Sequence, residues 1–168
     1  DLLYISTARG LYAIYTGDRS GTTRGDLAWV YPTELPLGNS ATVVGNTLYV
    51  GGYDKRIHAI QANPNPASLT TDTSTGYRIN TQFLWTYEAE AGFETNPLVV
   101  NNTVYAGNRD GNLYALDATN GSLRWRYQTN GPILFSAAYQ DNTVYFASDD
   151  MYAYALNATT GALVWRSQ

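Results

Sequence analysis

Ala115-Leu116-Asp117-Ala118-Thr119-Asn120-Gly121-Ser122-Leu123-Arg124-Trp125 returns forty residues later as Ala155-Leu156-Asn157-Ala158-Thr159-Thr160-Gly161-Ala162-Leu163-Val164-Trp165. Ten residues upstream of each stretch stand Val104-Tyr105-Ala106 and Val144-Tyr145-Phe146, preceded by Asn102-Thr103 and Asn142-Thr143. Two earlier units follow the same plan. Leu48-Tyr49-Val50 follows Asn46-Thr47 and leads to His58-Ala59-Ile60; Leu3-Tyr4-Ile5 leads to Tyr12-Ala13-Ile14. Each unit ends on a tryptophan, and Trp29, Trp85, Trp125 and Trp165 account for all four in the chain. Self-similarity at a fixed period marks a repeat architecture.

The units differ in length at one place. The alanine of the triplet lies 10 residues before the tryptophan in the last two units, 16 in the first (Ala13 to Trp29) and 26 in the second (Ala59 to Trp85). Flanking segments keep their register, as they do around loop insertions. Within a unit the reading is strand throughout: Thr103 to Gly107, a turn at Arg109-Asp110-Gly111, Leu113 to Leu116, a turn at Asp117 to Gly121, then Leu123 to Tyr127,. A fourth strand is expected to precede the next unit, as in Ile133 to Tyr139. Apolar and aromatic residues occupy both faces of these strands, as in Leu48-Tyr49-Val50, so each sheet is covered on both sides,. No stretch has a helical period. Four-stranded sheets of about 40 residues that bury themselves only against their neighbours are the blades of a β-propeller. The expected architecture is all-β, with repeats at about residues 1–35, 36–90, 91–130 and 131–168 in one domain.

The two complete stretches resemble the tryptophan-docking motif of PQQ-type, or quinoprotein-like, β-propellers, Ala-x-Asp/Asn-x-x-Thr-Gly-x-x-x-Trp. The resemblance implies that the indoles of Trp29, Trp85, Trp125 and Trp165 stack on a neighbouring blade. It also implies that Gly121 and Gly161 make the turn and that Asp117 and Asn157 cap it. The first two units keep the alanine and tryptophan but break the spacing. Rings of this family have seven or eight blades, so the four repeats here are expected to form half a ring, completed by further chain or by a second copy. Some members are dehydrogenases that bind PQQ and calcium. Others bind no cofactor and act as scaffolds or as extracellular sensors.

Composition narrows the choice. The 168 residues include 10 Lys and Arg against 14 Asp and Glu, no cysteine and one histidine. An acidic balance without a basic block argues against nucleic acid as a partner. No apolar run approaches the about 20 residues of a membrane span. Without cysteine, the adjacent-cysteine disulfide that the resemblance implies for its alcohol dehydrogenases cannot form. Asp110, Asp149 and Asp150 are the candidate calcium ligands under that reading, but Asp110 is also what an Asp-Gly hairpin turn requires. His58 occupies the slot of Tyr12, Tyr114 and Tyr154 and reads as a ring packed in a strand. Glu88, Glu90 and Glu94 read as solvated carboxylates rather than a glycosidase pair. Arg24-Gly25-Asp26 spells an adhesive tripeptide in the first insertion; three residues alone specify little.

Two surfaces remain as candidates. Gln61 to Thr81, turn-rich and polar, is expected as an exposed loop, either an interaction surface or a tolerated insertion. On the opposite face, the hairpins joining second and third strands carry Arg9, Lys55, Arg56 and Arg109, expected as an arc of positive charge for an acidic ligand or partner. The reading is a non-catalytic, extracytoplasmic module that binds protein, without cofactor. A fragment of a PQQ-dependent dehydrogenase, and a carbohydrate- or ligand-sensing domain using its 15 tyrosines, are the competing readings.

Overall fold

The computed structural model describes residues 1–18 and 21–168. Arg19 and Ser20, within the first insertion, lie outside the described residues. The first sheet is built from β1 (Leu2–Thr7), β2 (Gly10–Tyr15) and β3 (Leu27–Pro32). β4 (Thr42–Val44), β5 (Thr47–Gly51) and β6 (Arg56–Gln61) begin the second sheet. A short 3-10 turn, Pro66–Ser68, precedes β7 (Thr70–Thr71) and β8 (Arg78–Ile79), and β9 (Phe83–Glu88) closes the second sheet. The third contains β10 (Leu98–Val100), β11 (Thr103–Gly107), β12 (Asn112–Asp117) and β13 (Leu123–Gln128). The fourth contains β14 (Ala138–Gln140), β15 (Thr143–Ala147), β16 (Ala153–Asn157) and β17 (Leu163–Ser167).

Apart from β7 and β8, the strands of each repeat pair antiparallel in chain order, and the chain is a partial propeller of four blades. Turn chemistry explains the order. Asn101 and Asn102 both take positive φ (48° and 56°), as do Asp141 and Asn142 (48° and 58°). Two consecutive left-handed residues make the tight hairpin that matches strand twist, and Asn and Asp tolerate that conformation. A further signature repeats in every blade. The register slips at the alanine of each triplet, between Ala13/Ile14, Ala59/Ile60, Ala115/Leu116 and Ala155/Leu156. Such a bulge sharpens the twist just before the turn that carries the docking glycine.

Three apolar clusters lie between successive blades rather than within them. Leu11, Trp29, Leu48, Val50 and Ile60 fill the space between blades one and two. Ile57, Trp85, Val104, Tyr114 and Leu116 fill the next, and Tyr105, Leu113, Val144, Tyr154 and Leu156 the last. The outer faces of the two end blades are open. Leu3 is 51% exposed where its counterparts Leu48, Val104 and Val144 are fully buried, and Trp165 is 45% exposed where Trp85 is 7%.

Two sequence expectations change. The strand anticipated within Ile133 to Tyr139 is confined to Ala138–Gln140, because Ile133 is buried in the preceding connection, over Gly107. The long insertion after β6 is not a free loop. β8 runs parallel to β3, with Val30 opposite Ile79, and β7 pairs with β8, so two strands from within residues 36–90 extend the sheet of blade one. Asn80 locks this return: it is fully buried, its backbone N–H donates to Val30 O at 2.7 Å and its Nδ2 donates to Gln61 O at 3.0 Å.

Candidate functional site

The blade joints are where the repeated residues meet. In blade two the Trp85 Nε1–H and the Tyr49 hydroxyl both donate to one acceptor, Ala118 O of blade three, each at 3.0 Å. Trp125 Nε1 and the Tyr105 hydroxyl do the same to Ala158 O of blade four, again each at 3.0 Å. A carbonyl oxygen has two lone pairs, so it can serve both donors. The glycine three residues beyond that carbonyl lies under the indole. A Cβ on Gly121 would stand 2.5 Å from Trp85, and one on Gly161 2.7 Å from Trp125; both glycines have positive φ (75° and 72°). Asp117 and Asn157 hold the turn from within. Asp117 Oδ1 accepts from the Thr119 backbone N–H at 2.8 Å, and Asn157 Oδ1 from those of Thr159 and Thr160, each at 3.0 Å. Hydrogen bonding to Arg124, the largest influence, holds the Asp117 carboxyl below the usual carboxylate range,.

Blade one presents the same donors to a different turn. Tyr4 and Trp29 sit with ring centroids 5.8 Å apart, close to the 5.9 Å of Tyr49 and Trp85. Tyr4 donates to Ala62 O at 3.1 Å, the counterpart of Ala118 O. After Ala62, however, the chain runs Asn63-Pro64-Asn65-Pro66 instead of Thr-Asn-Gly or Thr-Thr-Gly. The Trp29 indole N–H is buried and finds no hydrogen-bond partner among the described residues. Trp29 is nonetheless 2% exposed, covered by a wall that includes Pro64, Pro66, Leu69 and Arg78 beside a cavity of about 200 Å³.

A second constellation recurs at the hairpin end. Tyr87 packs on Tyr114 and Tyr127 on Tyr154, with centroids at 5.5 and 5.7 Å, and each inner tyrosine donates its hydroxyl at 2.6 Å to Asp110 or Asp150 in its own hairpin. Burial, with the adjoining carboxylate, pushes Tyr154 up to about 12 and Tyr114 well above the usual tyrosine value. In blade two the inner ring is His58, packed against Tyr31 at 5.7 Å. His58 Nε2 lies 2.9 Å from Asp54 Oδ2 and Nδ1 lies 3.1 Å from the Tyr31 hydroxyl. Burial pushes the Asp54 carboxyl up, but the His58 hydrogen bond and charge and the Arg56 backbone N–H outweigh it, leaving the group below its usual value,.

Two of the four residues of the expected positive arc are paired with carboxylates. Arg56 faces Glu88 across β6 and β9 and pairs with it at 2.7 Å, and Arg109 pairs with Glu94. Lys55 and Arg9 are exposed, and Lys55 takes the left-handed turn position (φ 68°) that Gly111 and Met151 hold in the next hairpins. What sequence reasoning missed on this face is apolar. The hairpins between second and third strands and the connections between blades leave from the same end of the strands. There Leu35, Tyr53, Phe135 and Met151 are 47, 44, 64 and 74% exposed. Their only sequence signal is a large apolar residue where a turn needs none.

Asp110, Asp149 and Asp150 are the candidate calcium ligands of the sequence. Asp110 and Asp150 are each committed to a tyrosine of their own blade. Among the described residues no three of His, Asp and Glu gather closely enough to hold a metal ion. Arg24-Gly25-Asp26 folds back on itself: Asp26 Oδ2 accepts from the Thr23 backbone N–H at 2.6 Å, and Arg24 N donates to Asp18 Oδ1 at 2.8 Å. Among the described residues no helix is long and apolar enough to cross a membrane.

Solved structures with this arrangement include BamB from Moraxella catarrhalis, at TM-score 0.68 and 23% identity over 100% of this chain and 48% of that one. A quinohemoprotein alcohol dehydrogenase from Pseudomonas putida matches at TM-score 0.73 and 20% identity, over 99% of this chain and 32% of that one. The computationally designed Ika8 protein matches at TM-score 0.71 and 13% identity, over 97% and 45%. This chain therefore spans less than half of each of these three proteins, and the likeness shows the fold,. No curated protein sequence matches it. Residues 14–168 match the family model described as "Outer membrane protein assembly factor BamB", and the chain belongs to that family of PQQ-like repeats.

Proposed function

We propose that this chain is a non-catalytic, extracytoplasmic binding module that presents the hairpin end of its blades to a protein partner. The observation that carries the reading is the set of large apolar side chains, Leu35, Tyr53, Phe135 and Met151, exposed on loops at one end of the blades. Exposed apolar residues among polar ones are what a protein interface uses at its centre. Arg9 and Lys55 supply charge at the same end, beside the Arg56–Glu88 and Arg109–Glu94 pairs. Family membership supports the extracytoplasmic placement. The open faces of blades one and four are completed by further blades of the same repeat, or by a second copy.

The test is site-specific photo-crosslinking in the native host, with benzoylphenylalanine in place of Phe135 or Met151, and of Ser74 in the insertion at the opposite end. The reading expects the same protein adduct from positions 135 and 151 and none from position 74. It also expects loss of both adducts when Tyr53 is replaced by Glu. Adducts of equal strength from all three positions, or none, would overturn it.

A further inference from the structure

Blade four ends in one half of a joint, and blade one begins with the other half. On blade four, Tyr145 and Trp165 sit with ring centroids 6.0 Å apart at an interplanar angle of 47°. Tyr49 and Trp85 stand at 5.9 Å and 49°, and Tyr105 and Trp125 at 5.7 Å and 47°. The donor pair of blade four is therefore set as it is inside the joints, although Trp165 is exposed and Tyr145 only half-buried.

In each joint three residues of the following blade pack with the tryptophan. They are Leu48, Ile60 and Ala62 for Trp29, Val104, Leu116 and Ala118 for Trp85, and Val144, Leu156 and Ala158 for Trp125. The repeat puts Leu3, Ile14 and Thr16 at these positions in blade one. All three line one surface cavity of about 450 Å³, which Tyr15, Arg24 and Gly25 complete. The acceptor is placed as well. Thr16 N donates to Asp1 O at 3.2 Å, as the amides of Ala62, Ala118 and Ala158 donate to Asn46, Asn102 and Asn142 O. That anchor gives Thr16 O the place of Ala118 O, and among the described residues nothing donates to it. Gly25 N donates to Tyr15 O at 2.8 Å, which holds this part of the first insertion as a wall of the cavity. The Arg24 guanidinium in that wall suits the face of an indole.

We propose that this cavity is a binding site for the Trp165 indole of a second copy of the chain, with Trp165 Nε1–H and the Tyr145 hydroxyl donating to Thr16 O across the contact. One chain carries both halves, so two copies supply each other twice: blade four of either enters blade one of the other. A head-to-tail contact closes into a ring when its rotations return to the start, and two sets of four blades make eight,. The contact rests on the reading that more of the same repeat completes the open faces; the apolar residues at the hairpin end take no part in it.

The experiment is sedimentation equilibrium over a concentration series on the 168-residue chain and on Trp165→Ala and Leu3→Asp, alone and mixed, with circular dichroism to check folding. Both side chains are exposed, so each variant should keep the β spectrum of the parent; Leu3→Ala replaces Leu3→Asp if that spectrum changes. The parent should reach twice 18.5 kDa. Each variant alone spoils both contacts of the pair and should dimerise at least about 30-fold more weakly, as expected for loss of a tryptophan anchor. An equimolar mixture keeps one contact, Trp165 of the Leu3→Asp chain in the intact cavity of the Trp165→Ala chain. The mixture should therefore dimerise more tightly than either variant alone. A monomer, a series of ever larger species, a dimer that either variant leaves intact, or a mixture no tighter than its parts would overturn the proposal. The photo-crosslinks from positions 135 and 151 read the hairpin end separately, so either reading can fail without the other.

Discussion

Between blades two and three, two side chains of one blade share a single carbonyl of the next, and a glycine lets the indole lie flat on the turn. Between blades one and two, the same tyrosine and tryptophan meet a proline-containing segment, and one of the two donors has no acceptor among the described residues. The donors are placed alike; the acceptor turn differs. What joins blade one to blade two in compensation is the returning strand β8, which adds backbone pairing to β3 and buries Asn80. A propeller joint can thus be made by a side-chain plug in a glycine turn, or by an insertion that reaches back over the previous sheet.

The largest effect that separates the two kinds of joint should come from the glycine. Gly121→Val places a branched side chain at φ 75° and into the Trp85 ring, and should cost about 3 kcal/mol or more in chemical denaturation,. Gly76 has a similar φ of 72° with nothing within 4 Å of its Cβ position, so Gly76→Ala should cost only about 1 kcal/mol,. Equal costs would mean that the indole does not rest on the turn. The strap of the first joint is tested next. Asn80→Ala leaves buried backbone groups unpaired and should cost about 2 kcal/mol, with exchange protection lost first in β3 and β8,.

Joint three–four should answer to alkali. Tyr154 has its folded pKa raised to about 12, above the ordinary value of 10.0. Its contribution is therefore complete below pH 10 and lost as pH rises through 12. The stability gap between the native chain and Tyr154→Phe should narrow over that interval; a constant gap would show that burial and Asp150 do not hold the hydroxyl in its protonated form. The smallest effect belongs to the exposed Arg56–Glu88 pair, where Arg56→Ala should leave the denaturation midpoint where it is in the native chain,.

The sequence made the plug legible and the strap illegible, for physical reasons. Ala115 to Trp125 is contiguous, so the glycine, its capping Asp117 and the tryptophan could be read together. The alanine triplets upstream marked Trp29 and Trp85 as the ends of their units, although the insertions break the spacing. Nothing in Arg78–Ile79 announces a strand, because two residues carry no periodicity, and its parallel partner lies 49 residues earlier. Arg56 and Glu88 are neighbours only once β6 and β9 pair across the insertion, so Arg56 read as part of a positive arc. His58 was correctly assigned to a tyrosine slot by the repeat. That the slot includes an aspartate four residues earlier and a tyrosine from the previous blade emerged only from the fold.

The central claim is that the indole N–H supports the joint where a glycine turn receives it, and not where the proline segment stands. Its most direct test is the unfolding free energy of Trp29→Phe, Trp85→Phe and Trp125→Phe measured side by side. All three lose similar ring volume. Trp85→Phe and Trp125→Phe also lose a buried hydrogen bond, whereas Trp29→Phe removes a donor whose burial costs about 1–3 kcal/mol,. The account predicts that Trp29→Phe is the mildest of the three by at least about 1 kcal/mol. A Trp29→Phe variant as destabilised as the other two would contradict it.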